Sequence, residues 1–328
     1  MVAFLVRRLL HAIAVMVIAV MLGFSLVHLA PGDALTGDAT KAGRTVEARE
    51  LLRARAGLDQ PLSSQFLRFA GAAVHGDFGH SLIDDQPVLT ILVNALRNSL
   101  VLAGGGLLAA IALGLIVGSI EGWRPDWTLF RILGRALTAL YAVPEFVLAI
   151  TLIGALSYAA AWFPIGGMND PVTSAIGSTS ERLFDSLWHL CLPAMTLALG
   201  WGAAVARQQR VATAEAAGQD FIRTARAKGR SDLATLVRHA LPTTITPLIT
   251  VIGLMLPVMV GGSVIVEVVF AWPGLGSQVV RAVAQRDVPV VSGAIVVVSL
   301  LVAISSLMID LIIRLSDPRQ SAERTSDA

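Results

Sequence analysis

The chain has 328 residues, 55% of them hydrophobic and only 15% charged, with a mean hydropathy of +0.72. Soluble domains carry about 25% charged residues, so this composition excludes an ordinary soluble fold and points to a polytopic membrane protein. The formal net charge of +2 gives no reason to expect nucleic acid as a partner.

A bilayer crossing takes roughly 20 apolar residues, and six stretches qualify: 9–30, 99–120, 132–162, 187–206, 248–269 and 288–313. The expectation is an all-α membrane protein with six transmembrane helices. Arg7 and Arg8 precede the first run as in a signal peptide. That run exceeds the roughly 7–15 residues of a signal h-region, so a retained helix is expected. Residues 31–96 form the one sizeable segment outside the spans. In it "RTVEARELLRARAGL" reads as a helix capped by Thr45 and stopped by Gly57, and a second short helix opens at Pro61.

In the second span Gly104–Gly106, Gly114 and Gly118 offer a surface for close helix packing. The third is long enough to tilt or to continue past the membrane. Pro144, Pro193 and Pro257 are placed to bend their helices. Glu145, inside the third span, is a carboxylate of the kind that faces a cavity or a partner. It reads as a candidate lining of a translocation path, or as a structural partner for a neighbouring helix. His189 and Cys191 make an H-x-C pair, but two ligands do not build a zinc site, and no metal centre is expected. Cys191 is the only cysteine, which rules out an internal disulfide.

Between the fourth and fifth spans the chain turns polar, and "EAAGQDFIRTARAKGRSDLATLVRHALP" (215–242) holds five Lys or Arg residues and three carboxylates. Asp220 is placed to cap a short helix "FIRTARAK", with Gly229 in the turn that ends it and Ser231 capping the next. Leu233, Leu236, Val237, Ala240 and Leu241 then form one apolar stripe at helical spacing. Pro242 ends the pattern before the fifth span. The outline is helix, glycine turn, helix. On these residues alone three uses stay open: a lipid-facing basic loop, a DNA-binding helix pair, or a docking element for a soluble partner.

Glu267 stands near the outer end of the fifth span, close enough to the interface to be solvated, and is the second candidate for the path. "WPGLG", Trp272 to Gly276, follows as an external turn with Trp as interfacial anchor. Orientation comes from Lys and Arg in the short connections. With the N-terminus inside, the inner segments hold fifteen of them against Arg182, Arg281 and Arg286 outside. Both termini are therefore expected to be cytoplasmic. The resulting organisation is a first helix (1–30), an external segment (31–96), a core of five spans (97–316) containing the polar loop 207–243, and a tail (317–328).

The polar loop also carries a spacing: Gly229, nine residues, His239, one residue, then Leu241–Pro242. It resembles the EAA loop that permeases of binding-protein-dependent ABC importers present to their ATPase. "FIRTARAKG…RHALP" resembles the peptide/nickel branch in particular. "LVRRLL", "HLAPGD", "GLDQPLSSQF", "GDFGHSL", "VIVEVVFAWPGLG" and "DPR" occur in the same order along nearly the whole chain. Arg223, Thr224 and Ala225 stand where the motif has Glu-Ala-Ala, and the literal "EAAG" (215–218) extends the fourth span instead.

The resemblance implies the first permease subunit of such an importer, in a type I bundle. Partners would be a homologous second permease, two ATPase subunits or domains, an extracytoplasmic substrate-binding protein and membrane lipid. Phe221, Arg223, Thr224, Ala225, Arg226, Ala227, Lys228 and Gly229 would meet the ATPase, with Leu241 and Pro242 closing the motif. The chain has no G-x-x-x-x-G-K-[ST] loop. The expectation is a transport subunit rather than an enzyme, with no cofactor of its own and ATP and Mg bound on partner subunits. An ATP-independent channel or secondary transporter is the alternative, although no internal repeat supports the latter.

Overall fold

Long apolar runs leave the backbone only itself to hydrogen-bond, so in such a chain helices are the expected answer. The computed structural model describes residues 2–29 and 60–316 and gives helices throughout. They are α1 (Val2–Leu29), α2 (Leu62–Val74), α3 (Val88–Trp123), α4 (Thr128–Tyr141) and α5 (Glu145–Leu152, continued by a π-helical stretch Ile153–Ala159). After these come α6 (Pro171–Ile176), α7 (Thr179–Ala217), α8 (Asp220–Ala227), and α9 (Asp232–Thr235) with a π-helical stretch Leu236–Ala240. The last three are α10 (Leu241–Val269), α11 (Leu275–Gln285) and α12 (Val288–Ser316). The helix expected from Thr45 to Gly57 and the tail 317–328 lie outside the described residues.

Three of the described helices are long and apolar enough to cross a membrane, Val88–Trp123, Thr179–Ala217 and Val288–Ile309. A fourth is added if α4 and the α5 run count as one span, bent by 116°. The expected third span, 132–162, is thus two helices. Pro144 occupies the N-cap of α5 and cannot continue α4. Pro193, by contrast, sits inside α7 without interrupting it. Helices also outlast the apolar runs from which they were read. At 1.5 Å per residue α3 and α7 are about 54 and 58 Å long, well past a hydrocarbon core of about 30 Å. Residues 88–96, expected in the external segment, are the first turns of α3.

The residues divide into two units, Met1–Ser99 with Pro273–Leu307, and Leu100–Trp272 with Met308–Ala328. In the first, Val88, Leu92, Leu275, Ala282, Val290 and Ala294 are buried together. Phe24 packs on Phe66 and Phe69 of α2 at 5.5 and 5.9 Å between ring centroids. Pro61 is the N-cap residue of α2, where the expected start was. Buried Asp287 accepts from the Ser81 hydroxyl and, at 3.2 Å, from the Leu82 amide, tying the 76–83 loop to the start of α12.

In the second unit α3 lies against α7 along the expected glycine surface, except that Gly104 faces open space. A Cβ at Gly105 or Gly106 would press on Leu190 or Leu197, and one at Gly114 would come within 2.5 Å of Val205. Gly118 and Gly122 face the Ala206 and Arg210 carbonyls directly. Leu102, Ala110, Leu192, Leu197, Trp201, Val266, Phe270 and Trp272 form the main buried cluster. Trp272 is therefore a core residue and not the interfacial anchor expected from "WPGLG". Its position after a helix end concealed that, because Ala271 turns the backbone inward with φ of +49°.

Candidate functional site

α7 begins with a capping box between Ser178 and Glu181 and runs to Ala217, so the literal "EAAG" does extend this helix, with Gly218 as its cap. α8 follows at once. Its N-cap is Gln219, which makes no side-chain cap bond; Asp220 sits one residue further on, in the first turn. The expected Asp220 cap is thus displaced by one position. Its charge still favours the helix N-terminus. α8 ends on Lys228, and Gly229 takes φ of +75°, the left-handed conformation that reverses the chain. The Ser231 hydroxyl then accepts from the Ala234 amide at 3.4 Å, as a cap.

Inward from α8 point Ile222, fully buried, and Ala225. Ile222 packs with Trp123, Ala216, Leu236 and Ala240. Outward point Phe221 (42% exposed), Arg223, Thr224, Ala227 and Lys228. An exposed aromatic side chain with Arg223 and Lys228 also outside is what remains of α8 once its inner face is satisfied.

Asp232 holds this arrangement to the bundle. Its carboxylate accepts from the Trp123 indole at 2.9 Å, from Arg124 Nε at 2.8 Å and from Arg226 at 3.1 Å. Arg226 also lies over the Trp123 ring, 4.8 Å from its centroid. Arg226 is therefore turned inward, toward the end of α3. Burial alone would raise the Asp232 carboxyl, but the hydrogen bonds from Trp123 and Arg124 and the charges of Arg124 and Arg226 hold it below the usual range. A depressed folded pKa means stability that is present above the unfolded value of about 4 and lost as pH falls through the folded one. Protection of the 220–240 amides, taken relative to the intrinsic exchange rate at each pH, should accordingly be constant from about pH 5 to 8 and fall below about pH 4. Asp232→Asn should raise exchange at neutral pH and remove the acid step.

The second helix departs from the expected stripe. Leu236 and Ala240 are buried and Leu241 partly so, but Leu233 is 71% and Val237 51% exposed. The π-helical turn at Leu236–Ala240 widens the repeat, so residues spaced for a 3.6 period no longer share a face. Pro242 does not end the pattern either. It sits in the first turn of α10, where a missing N–H is tolerated, and the loop feeds into the long helix without a break. Behind this joint, the side-chain nitrogen of buried Gln209 in α7 lies 2.9–3.0 Å from the hydroxyls of Ser119, Thr213 and Thr244 and shares its two N–H groups among them, linking α3, α7 and α10. Trp123, Arg124, Ile222 and Gln209 escape a reading of the sequence, and Asp232 shows there only as a charge suited to the first turn of its helix. Trp-Arg at the inner end of the second span was the one available signal.

The two carboxylates lie elsewhere. Glu145 opens α5, is partly buried, bonds to the Trp201 indole and lines a cavity of about 610 Å³. Glu267 is fully buried, and its carboxylate accepts from Ser263 at 3.1 Å. The solvated Glu267 expected from its closeness to a span end is therefore corrected: α10 turns that face into the core. His189 bonds Asp185, 3.1 Å away, and no metal-binding cluster occurs among the described residues.

Residues 110–322 match the family described as binding-protein-dependent transport system inner membrane component, and residues 1–103 match its N-terminal membrane component model. The chain belongs to this family. The oligopeptide transport system permease protein AppB of Bacillus subtilis is 34% identical over 97% of this chain and 99% of its own length. The dipeptide transport system permease protein DppB of Escherichia coli K12 is 32% identical, over 97% and 98%. A chain of the MetNI methionine ABC transporter, solved inward-facing, superposes with a TM-score of 0.52 at 17% identity, over 70% of this chain and 97% of that one. That likeness concerns the fold. This permease is thus an inner-membrane subunit of an ABC importer, and its family implies ATPase and substrate-binding-protein partners. The family match contains the whole 207–243 loop.

Proposed function

We propose that this permease forms half of the translocation pathway for peptides or related small solutes, and that 207–243 couples it to a separate ATPase. Six spans with both termini in the cytoplasm put the loop on the ATPase side and residues 31–96 outside. The remaining core and tail, 97–316 and 317–328, follow from that orientation. A homologous second permease completes the pathway, two ATPase subunits bind ATP and Mg, and an extracytoplasmic protein delivers the solute. Relatives named for oligopeptide and dipeptide transport support the solute class.

The observation that carries the coupling role is the contrast between the two faces of α8. Ile222, Ala225 and Arg226 are committed to the bundle, while Phe221, Arg223, Thr224, Ala227 and Lys228 are presented outward. A helix packed on one side and offering an aromatic residue on the other suits a groove on a partner. Gly229, Leu241 and Pro242 set the turn and the joint to α10. When the ATPase pair closes, the loop moves as one piece and drags α7 and α10 with it. Glu145 and Glu267 are proposed for the pathway, Glu145 at a cavity and Glu267 as a buried support.

Cysteine cross-linking tests the docking. With Cys191→Ser removing the native thiol, Phe221→Cys should cross-link to the ATPase, and Leu233→Cys should do so much less. Equal or no adducts at 221, in a complex that still hydrolyses ATP, would return the loop to a lipid-facing role.

A further inference from the structure

The cavity at the break between α4 and α5 is lined by Tyr141, Glu145, Gly200, Trp201, Val251 and Met255, among others. Its volume, about 610 Å³, lies within the range of sites for small organic ligands. Among the described residues Glu145 is the only charged one in its lining. Among the described residues no cation pairs with it; its bond is to a neutral indole. A carboxylate partly withdrawn from water and left without a counter-ion carries a cost that an arriving positive charge relieves. The walls beside it include the aromatic rings of Tyr141 and Trp201, whose faces attract cations. Arg207, 5.9 Å from the Tyr141 ring centroid, places a positive charge next to the cavity without entering its lining.

We propose that this cavity is a solute subsite in the permease itself, in which Glu145 takes a protonated amine of the transported molecule against Tyr141 and Trp201. The Arg207 charge beside it matches a zwitterion better than a bare cation. The subsite rests on the peptide-permease reading for its solute class. It adds that the membrane subunit, and not only the binding protein, selects for a free amino group. Glu145 is then satisfied by indole and solute together, and the break in the third span exists to open this space.

The test uses the full transporter in nanodiscs without its binding protein, probed by saturation-transfer NMR with glycyl-leucine and its N-acetyl derivative. Glycyl-leucine should give a signal that N-acetyl-glycyl-leucine does not. Glu145→Gln, which keeps the shape and can still accept from Trp201, should weaken binding roughly tenfold, as expected for a lost charge-assisted hydrogen bond. Glu145→Asp should restore part of it, and the thermal midpoint of all variants should match wild type. Equal signals from the two probes, or an undiminished signal in Glu145→Gln, would overturn the subsite. If the wild-type complex with its binding protein imports no peptide into proteoliposomes, the peptide reading fails instead. Normal import with no contrast between probes sinks the subsite alone.

Discussion

Gly229→Val is expected to abolish solute uptake while leaving the permease in the membrane and assembled. Gly229 has φ of +75°, and a Cβ added there would touch nothing within 4 Å. The effect is therefore conformational and not steric. An L-residue in this region costs about 1–2 kcal/mol, and a β-branched one more, since its branched Cβ crowds the following carbonyl. At about 1.4 kcal/mol per tenfold, that moves the balance away from this turn by roughly tenfold or more. The strain falls between the Ala227 end of α8 and the Ser231 cap, so relief comes by swinging α8 away from Trp123 and Asp232. Gly229→Asn is the control. Asn visits the left-handed region readily, so it should keep most of the uptake that Val loses. Parallel failure of both would mean that bulk, and thus an unseen contact, decides the position.

Gly118→Val should prevent the folded permease from accumulating at all. A Cβ at 118 would overlap the Ala206 carbonyl oxygen and lie 3.0 Å from its carbonyl carbon. Backbone cannot step aside as a side chain can, so α3 and α7 must separate. Gly114 and Gly122, one turn to either side on the same face, would lose their contacts with Val205 and Arg210 in the same movement. Overpacking usually costs about 1–3 kcal/mol; here the loss spreads along a seam held by van der Waals contact, with no hydrophobic drive between helices to oppose it. The Gln209 bond to Ser119 lies beside the seam and would open too. Gly104→Ala, with nothing within 4 Å of its Cβ, should be harmless. Size-exclusion profiles and thermal midpoints in detergent distinguish the two variants.

What could be read from the sequence was local. Apolar runs located the long helices and Pro61 and Pro144 two helix starts, and Gly229 with Ser231 located the loop because caps and left-handed turns depend on neighbouring residues. What escaped was long-range or depended on helix type. Trp123 and Asp232 are 109 positions apart, and Ser119 and Gln209 are 90 apart. Nothing in either neighbourhood announces the other. The stripe from Leu233 to Leu241 breaks because a π-helical turn, which a 3.6 period does not describe, interrupts it. Glu267 and Trp272 were placed outside because span ends were equated with the interface, whereas the helix ends pack inward.

The central claim is that ATP hydrolysis on a partner drives uptake through this loop. It is tested most directly by counting ATP hydrolysed and solute imported in the same proteoliposomes, for wild type and Gly229→Val. The expected result is uptake in the wild type that stops without nucleotide, and hydrolysis without uptake in the variant. Uptake that persists without nucleotide, or an unchanged ratio of solute to ATP in Gly229→Val, would contradict it.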